Sequence, residues 1–356
     1  FYEDGKLIDP LDIALNKYCK NKTYVKPSYC EAIVDQLYDD IVYNSAIKPD
    51  KRILTFEEAI LGIENDPIFG SISRTTSPGF PYTHDPSNKG KGKTHWFGNK
   101  QEYDLENLNC QKLKRDCLRV LEDANKGIRH EHIFADNPKD ETLPKEKVEA
   151  HKVRLFNACP LVLLIVTRML FGSFTRWYAA NKIYNGSAIG VNCYSIDWEL
   201  IRKELDKFVD GQNKKAGDYS AFDGSEISPI HMALLEVFQK YYGDDGYERA
   251  RFVIFLELTN SKHINGSFVY EWSSSLPSGH PLTTIVNNLY NHFCFRYCWL
   301  ASHEYDLSCL PDFTKHVYLI VLGDDNLFSV SYEKLPIFNM LSIERNMAEL
   351  GMTYTS

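Results

Sequence analysis

The stretch Lys315-His316-Val317-Tyr318-Leu319-Ile320-Val321-Leu322-Gly323-Asp324-Asp325-Asn326-Leu327-Phe328-Ser329-Val330 sets two apolar runs around a Gly-Asp-Asp centre. Both runs are rich in β-branched and aromatic residues, which predicts strand, tight turn, strand. A turn accounts for the glycine and one aspartate, but it does not need a second carboxylate at the tip of a buried hairpin. The same tripeptide occurs at Gly243-Asp244-Asp245. There it follows an amphipathic helix and precedes Gly246, so it reads as a helix stop with an Asp-Gly turn, exposed and solvated.

Working outward, helices are predicted from Leu105 to Ala124, from Leu161 to Ala180, and from Trp198 towards Val209, the last capped by Asp197 and ended by Gly211. A short strand should lead into Asp218. Ser228-Pro229 opens a helix in which Ile230, Ala233, Leu234, Val237, Phe238 and Tyr241 recur at helical spacing, stopping at Gly243. Between Phe252 and Trp272 the pattern reads as β, with Asn265-Gly266 turning a hairpin, and a long helix follows from Leu282 to Leu300. Gly and Pro cluster between Pro78 and Gly98, where Lys89-Gly90-Lys91-Gly92-Lys93 reads as an exposed flexible loop. Helices and antiparallel strands mix without regular βαβ alternation, so the fold class is α+β.

Composition excludes several classes. The 356 residues are 44% hydrophobic and 25% charged, near the averages of folded domains and unlike disordered or collagenous chains. The longest strongly apolar stretch, Leu161 to Val166, closes at Thr167-Arg168, short of the ~20 residues of a bilayer-spanning helix, so no transmembrane segment is expected. Phe1-Tyr2-Glu3-Asp4-Gly5 has neither a signal peptide's pattern nor an initiator Met, which reads as a processed or trimmed piece. Nine Cys without paired CxxC spacing read as reduced thiols, and Cys294, Cys298 and His292, on one apolar helix, read as core. The net charge of −8 argues against a nucleic-acid partner until it is read by region: Pro86 to Arg154 holds 15 Lys or Arg against 12 Asp or Glu, a net of +3 that leaves −11 elsewhere.

Four features could carry chemistry. Asp218-Tyr219-Ser220-Ala221-Phe222-Asp223 ends the expected strand, and either Asp could instead cap the next helix. Together with Asp324 and Asp325 these would present three or four hard oxygen donors, a set that suits Mg²⁺, with Mn²⁺ as a substitute. Two such ions about 3.5 to 4 Å apart activate an attacking oxygen and stabilise a leaving one in phosphoryl transfer. Ser278-Gly279 precedes a helix on which Thr283 and Asn287 stand one turn apart; they could meet sugar hydroxyls, or cap the helix and face solvent. From Lys139 to Arg154 cations alternate with acids, which is either a solvated face or a triphosphate grip. Two decoys fall away. Gly92-Lys93-Thr94 imitates a P-loop end but has Ser87 where Gly is required, and the Asn-x-Ser/Thr triplets at Asn21, Asn185 and Asn265 lack an export signal.

Thr76-Ser77-Pro78-Gly79-Phe80-Pro81-Tyr82, Lys139 to Arg154, Asp218 to Asp223, Ser278 to Asn287 and Gly323-Asp324-Asp325 come in an order, with 60 residues from Asp218 to Ser278 and 46 from Ser278 to Asp324, that resembles the RNA-dependent RNA polymerases of picorna-like positive-strand RNA viruses. The iflavirus and dicistrovirus branches of insect viruses are preferred. The resemblance implies a right hand: residues 1–190 as fingers, 191–254 as the first part of the palm, 255–277 as a fingers insertion and 278–356 as the second part of the palm. It implies catalytic and metal-binding roles for Asp218, Asp324 and Asp325. Lys139, Lys147, Arg154, Asp223, Ser278, Thr283 and Asn287 would bind the nucleotide, and Thr76, Ser77, Pro78 and Gly79 the template. Its implied partners are RNA template and primer, nucleoside triphosphates, a protein primer and other viral replication proteins. The implied setting is the host cytoplasm, at membrane-associated replication complexes, after release from a polyprotein.

Some residues depart from the family pattern. Leu322 replaces a usual Tyr, with its side chain expected beneath the hairpin, and Leu143-Pro144 replace an Arg-Ser pair. The sequence stops before the Asp-Lys, primer-grip hairpin and thumb that the family would add, so weak activity or none is expected of this stretch by itself. A reverse transcriptase is disfavoured because Asp223 and Asn287 suit a 2′-hydroxyl. A noncatalytic RNA-binding module is the reading from a different class.

Overall fold

The structure, a computed structural model, describes residues 2–3, 6–7, 10–15, 23–88, 92–99, 102–150, 153–208 and 214–355. The expected Lys89-Gly90-Lys91 stretch, the helix end at Val209 and Gly211, and the readings at Phe1, Asp4, Gly5 and Asn21 lie outside the described residues. In chain order the main elements are α1 (Pro27–Tyr43), α2 (Leu108–Asn125), β1 (Ile133–Pro138), β2 (Leu155–Ala158), α3 (Leu161–Ala180), α4 (Asp197–Leu205), β3 (Lys214–Ser220) and α5 (Ser228–Tyr242). They continue with α6 (Glu248–Thr259), β4 (Lys262–Asn265), β5 (Phe268–Glu271), α7 (Thr283–Ser302), β6 (Val317–Leu322), β7 (Asp325–Val330), α8 (Met340–Glu349) and β8 (Thr353–Thr355).

Two four-stranded sheets organise the chain. The central one runs β8-β3-β7-β6 and is antiparallel throughout. The second runs β2-β1-β4-β5, with β1 and β4 parallel and the outer pairs antiparallel. Helix α7 backs the central sheet and is buried from Ile285 to Leu300, so Cys294, Cys298 and His292 are core as the sequence suggests. An aromatic cluster joins α3 to α5, with Phe171 on Phe238 at 5.2 Å and Phe174 on Tyr241 at 5.1 Å. Burying each such ring contributes about 1.5–3 kcal/mol.

Four expectations change. The segment read as β from Phe252 is helical up to Thr259, because Ala250, Ile254 and Leu258 repeat at i+4 and are buried. A short apolar run does not distinguish helix from strand by itself. Helix α4 begins after Ile196, and Asp197 turns back instead of capping it: its Oδ2 accepts from Lys182 Nζ at 2.7 Å and from the Asn192 N–H at 2.9 Å. Helix α3 runs from Leu161 to Ala180 as expected, but its apolar character does not close at Thr167-Arg168. Arg168 donates to the Ala59 and Gly70 carbonyls, each at 2.6 Å, and stacks on Phe69, leaving a 20-residue helix long and apolar enough to cross a membrane yet mostly buried within the protein. Finally, the Gly243-Asp244-Asp245 turn is not simply solvated, because Asp245 accepts a two-pronged bond from buried Arg251 at 2.9 and 2.6 Å. Burial pushes the Asp245 carboxyl up, but the Arg251 fork and the Tyr247 N–H outweigh it and hold the group below the usual range.

Candidate active site

The β6–β7 hairpin pairs from Val317↔Val330 to Leu322↔Asp325, which leaves Gly323-Asp324 as a two-residue turn. Gly323 takes φ 65° and Asp324 does not enter the left-handed region, the pattern of a type II′ turn that matches strand twist. The turn is held from within by amides. Asn288 Oδ1 accepts the Gly323 N–H at 2.6 Å, while Asn291 Nδ2 donates to the Gly323 and Asp324 carbonyls at 3.0 and 3.2 Å. Asn326 Nδ2 ties the Asp324 carbonyl to the Gly217 carbonyl of β3, both at 3.2 Å. With the turn's backbone satisfied inside, the side chains of Asp324 and Asp325 remain exposed.

Strand β3 pairs with β7 as far as Gly217↔Asn326, so Asp218 is the next residue on the strand beside the turn. The chain then reverses through Ala221 at φ 54° into the short helix Phe222–Ser225, anchored by Phe222 between Tyr219 and Tyr290. Asp223 projects from that helix. Desolvation, first, and then the negative charges of Asp223, Asp325 and Asp218 push the Asp324 carboxyl above its ordinary range, against a pull from its own backbone N–H. All four carboxylates therefore share one electrostatic neighbourhood. Hard oxygens that repel one another fit a divalent cation, whose charge would relieve the repulsion. Among the described residues no three acids, His or Cys already enclose a position for an ion, so these are neighbouring carboxylates and not a closed cage.

Beside it lies the Ser278 loop. Thr283 Oγ1 donates to the Pro277 carbonyl at 2.7 Å, which closes the loop onto the start of α7. Asn287 has acceptors on both sides: Asp223 Oδ1 at 3.4 Å, and the Thr283 carbonyl at 3.1 Å with Glu226 Oε1 at 3.3 Å when its amide is turned the other way. Gly279 passes so close to β2 that a Cβ there would stand 1.9 Å from the Asn157 carbonyl. Ser278, Thr283 and Asn287 thus lie along one loop and one helix turn, with Asp223 reaching Asn287 from the neighbouring short helix.

Lys139 and Arg154 meet at the open end of the β1–β2 pair, where the Lys139 N–H donates to the Arg154 carbonyl at 2.8 Å and both side chains reach Glu141 Oε2 at 3.4 Å. Lys147 is exposed on the short helix Lys145–Glu149. In the Thr76 to Gly79 loop, Thr76 and Ser77 are exposed and Pro78 and Gly79 are buried, with the Pro78 carbonyl accepting the Leu161 N–H at 2.9 Å. Lys93, part of the false P-loop, is buried and donates to the Thr76 carbonyl at 3.1 Å and to its hydroxyl. Burial lowers its ammonium to about 8.

The profile described as viral RNA-dependent RNA polymerase matches residues 3–356. The chain belongs to that family. The replicase polyprotein of Cricket paralysis virus is 33% identical over 369 residues, covering 99% of this chain and 21% of that protein. That of Drosophila C virus is 36% identical over 328 residues, covering 88% and 18%. The chain thus spans about a fifth of the length of these curated relatives. Among solved structures, the Sicinivirus 3Dpol RNA dependent RNA polymerase superposes with a TM-score of 0.76 at 22% identity, over 98% of this chain and 67% of that one, which makes the fold a right-hand polymerase fold.

Against the family pattern one expectation fails. Leu322 does not tuck beneath the hairpin; it is 44% exposed and lines an open apolar groove of about 240 Å³ with Ala188, Val191, Trp198 and Ile320. Residues 317–321 are buried on both faces, Ile320 included, and Leu322 is the last residue of the strand, where that cover ends beside the turn. The sequence reading also passed over Asn288, Asn291, Asn326 and Tyr354, whose hydroxyl donates to Asn326 Oδ1 at 2.6 Å. A signal existed for two of them: Asn288 and Asn291 are amides on the buried side of an otherwise apolar helix, and such groups must find partners.

Proposed function

We propose that this chain is the fingers and palm of an RNA-directed RNA polymerase that adds ribonucleoside monophosphates to a primer 3′-hydroxyl on an RNA template. The observation that supports it is the meeting of Asp218, Asp223, Asp324 and Asp325 beside the Ser278–Asn287 loop and helix. In the reaction the primer oxygen forms a bond to the α-phosphorus, the bond to pyrophosphate breaks in line, and the hydroxyl proton passes to solvent water. Asp218, Asp324 and Asp325 would hold Mg²⁺ or Mn²⁺. When bound, the metal lowers the pKa of the attacking hydroxyl and neutralises charge on the phosphates. The chain's own residues do the rest. Asp223 accepts from the ribose 2′-hydroxyl, Ser278, Thr283 and Asn287 surround the sugar, and Lys139, Lys147 and Arg154 receive the triphosphate. Thr76 to Gly79 guide the template, with Lys93 bracing the loop.

Residues 1–190 and 255–277 would form the fingers and 191–254 and 278–356 the palm. The polyprotein names of the relatives support release by processing and work beside other replication proteins. The test is Mg²⁺-dependent primer extension by the polymerase carrying this sequence. Extension that uses NTPs over dNTPs and collapses in Asp324→Ala is expected; unchanged extension in that variant refutes the site.

A further inference from the structure

One buried polar chain lies outside the residues assigned so far, and it ends on one of them. Asn157, fully buried on β2, donates from Nδ2 to Asp136 Oδ1 on β1 at 2.6 Å. Its Oδ1 accepts from the Ser278 N–H at 2.8 Å and lies 3.2 Å from the Ser278 hydroxyl, which also approaches the Asn157 N–H and the Leu155 carbonyl, each at 3.3 Å.

An amide can point either way, and Asp136 decides which. Its carboxylate is 1% exposed and only accepts. His263 Nδ1 reaches the same Oδ1 at 2.8 Å, and the Tyr270 hydroxyl donates to Oδ2. Because Nδ1 faces a carboxylate it carries a proton, and Nε2 lies 2.8 Å from the Ser261 hydroxyl, which can pair with it as donor or acceptor. The His263 ring is clamped by Trp272, 3.8 Å away and nearly parallel. With the Asp136 carboxylate on one side and the Ser278 N–H on the other, the Asn157 amide has one direction that satisfies both ends. A buried carboxylate costs more than an apolar group of the same size if stability is the only purpose, which favours a role in specifying geometry.

We propose that Asn157 is a positioning residue for ribose recognition: Asp136, braced by His263 and Tyr270, turns the Asn157 carbonyl to Ser278 and so fixes the loop that delivers Thr283 and Asn287. This rests on the assignment of Ser278, Thr283 and Asn287 to the ribose made above. The consequence is that a hairpin remote in sequence from the carboxylates, β4–β5, sets the shape of the sugar site through side chains that never touch the nucleotide.

The experiment compares Asn157→Ala and Asp136→Asn with wild type in primer extension, reading KM and kcat for an NTP and for its 2′-deoxy analogue, with thermal melting alongside. The expected result is a KM for the NTP raised about ten-fold, on the scale of a lost buried hydrogen bond, and a preference over the 2′-deoxy analogue reduced by a similar factor. In the same variants kcat should stay within about three-fold of wild type. Asp136→Asn keeps the side chain's size and carries the test if Asn157→Ala does not fold. Unchanged preference and KM overturn the proposal, as does a parallel fall of kcat, KM performance and melting temperature, or loss of fold in both variants. No extension by wild type overturns the polymerase reading itself and this inference with it.

Discussion

His280 is buried in the loop between Ser278 and Thr283, and its ionisation is closed off by geometry. The Leu282 N–H donates to Nδ1 at 3.2 Å, so the ring proton sits on Nε2, facing Thr167 Oγ1 at 3.3 Å. A second proton would set N–H against N–H, and burial lowers the imidazole to about 3. An unfolded histidine titrates near 6.5. The folded value is below the unfolded one, so the unfolded chain takes the proton first, and stability present above about pH 6.5 is lost as pH falls towards the folded value. From pH 7 to pH 5 one such group costs about 2 kcal/mol. His280→Asn keeps an acceptor for Leu282 but does not titrate. The variant should therefore be less stable than wild type at pH 7, with a gap that closes by about 2 kcal/mol at pH 5. Equilibrium urea unfolding followed by Trp fluorescence at several pH values measures the gap. His292, also lowered to about 3 by burial and then by Arg296, contributes equally to both proteins and cancels. A gap that does not change with pH would show that His280 is not held neutral in the fold.

Two further outcomes test the turn and the carboxylates. Asn291→Leu leaves the Gly323 carbonyl and the Tyr219 hydroxyl without their amide partner and the Asp324 carbonyl with Asn326 alone, so denaturant unfolding should report a loss of about 1–3 kcal/mol, and a loss below about 0.5 would contradict the role given to that amide. Asp324→Asn should raise the melting temperature at neutral pH in a chelator, because a carboxyl whose folded value is raised destabilises the fold only above the ordinary carboxylate range. The gain should vanish near pH 3, while primer extension is lost at every pH. A lower melting temperature at pH 7 would count against mutual repulsion.

Much of the site was legible because its signals are local. The apolar runs around Gly323 demand a hairpin, and Asp218 and Asp223 sit where a strand must end, so their convergence needs only the sheet to form. Distinguishing the two Gly-Asp-Asp copies worked for the same reason, although the Arg251 fork on Asp245 could not be read from sequence because many acids nearby compete for that guanidinium. The strand reading of 252–259 failed where an apolar run fits either period. Asn157, Asp136 and His263 stayed silent because their partners lie 21, 121 and 127 residues away, and a buried polar residue carries no sequence mark of its partner. Leu322 departs from the expectation because it ends a strand buried on both faces, and nothing local in the sequence marks where that cover stops.

The polymerase reading stands on the carboxylates of Asp218, Asp324 and Asp325 forming a divalent-metal site. Crystals of the polymerase soaked in Mn²⁺, with anomalous diffraction recorded at the manganese edge, test it most directly. An anomalous peak is expected between Asp218 and Asp324 that disappears in Asp324→Ala. Manganese bound elsewhere at saturating concentration, with no peak between these two carboxylates, would contradict it.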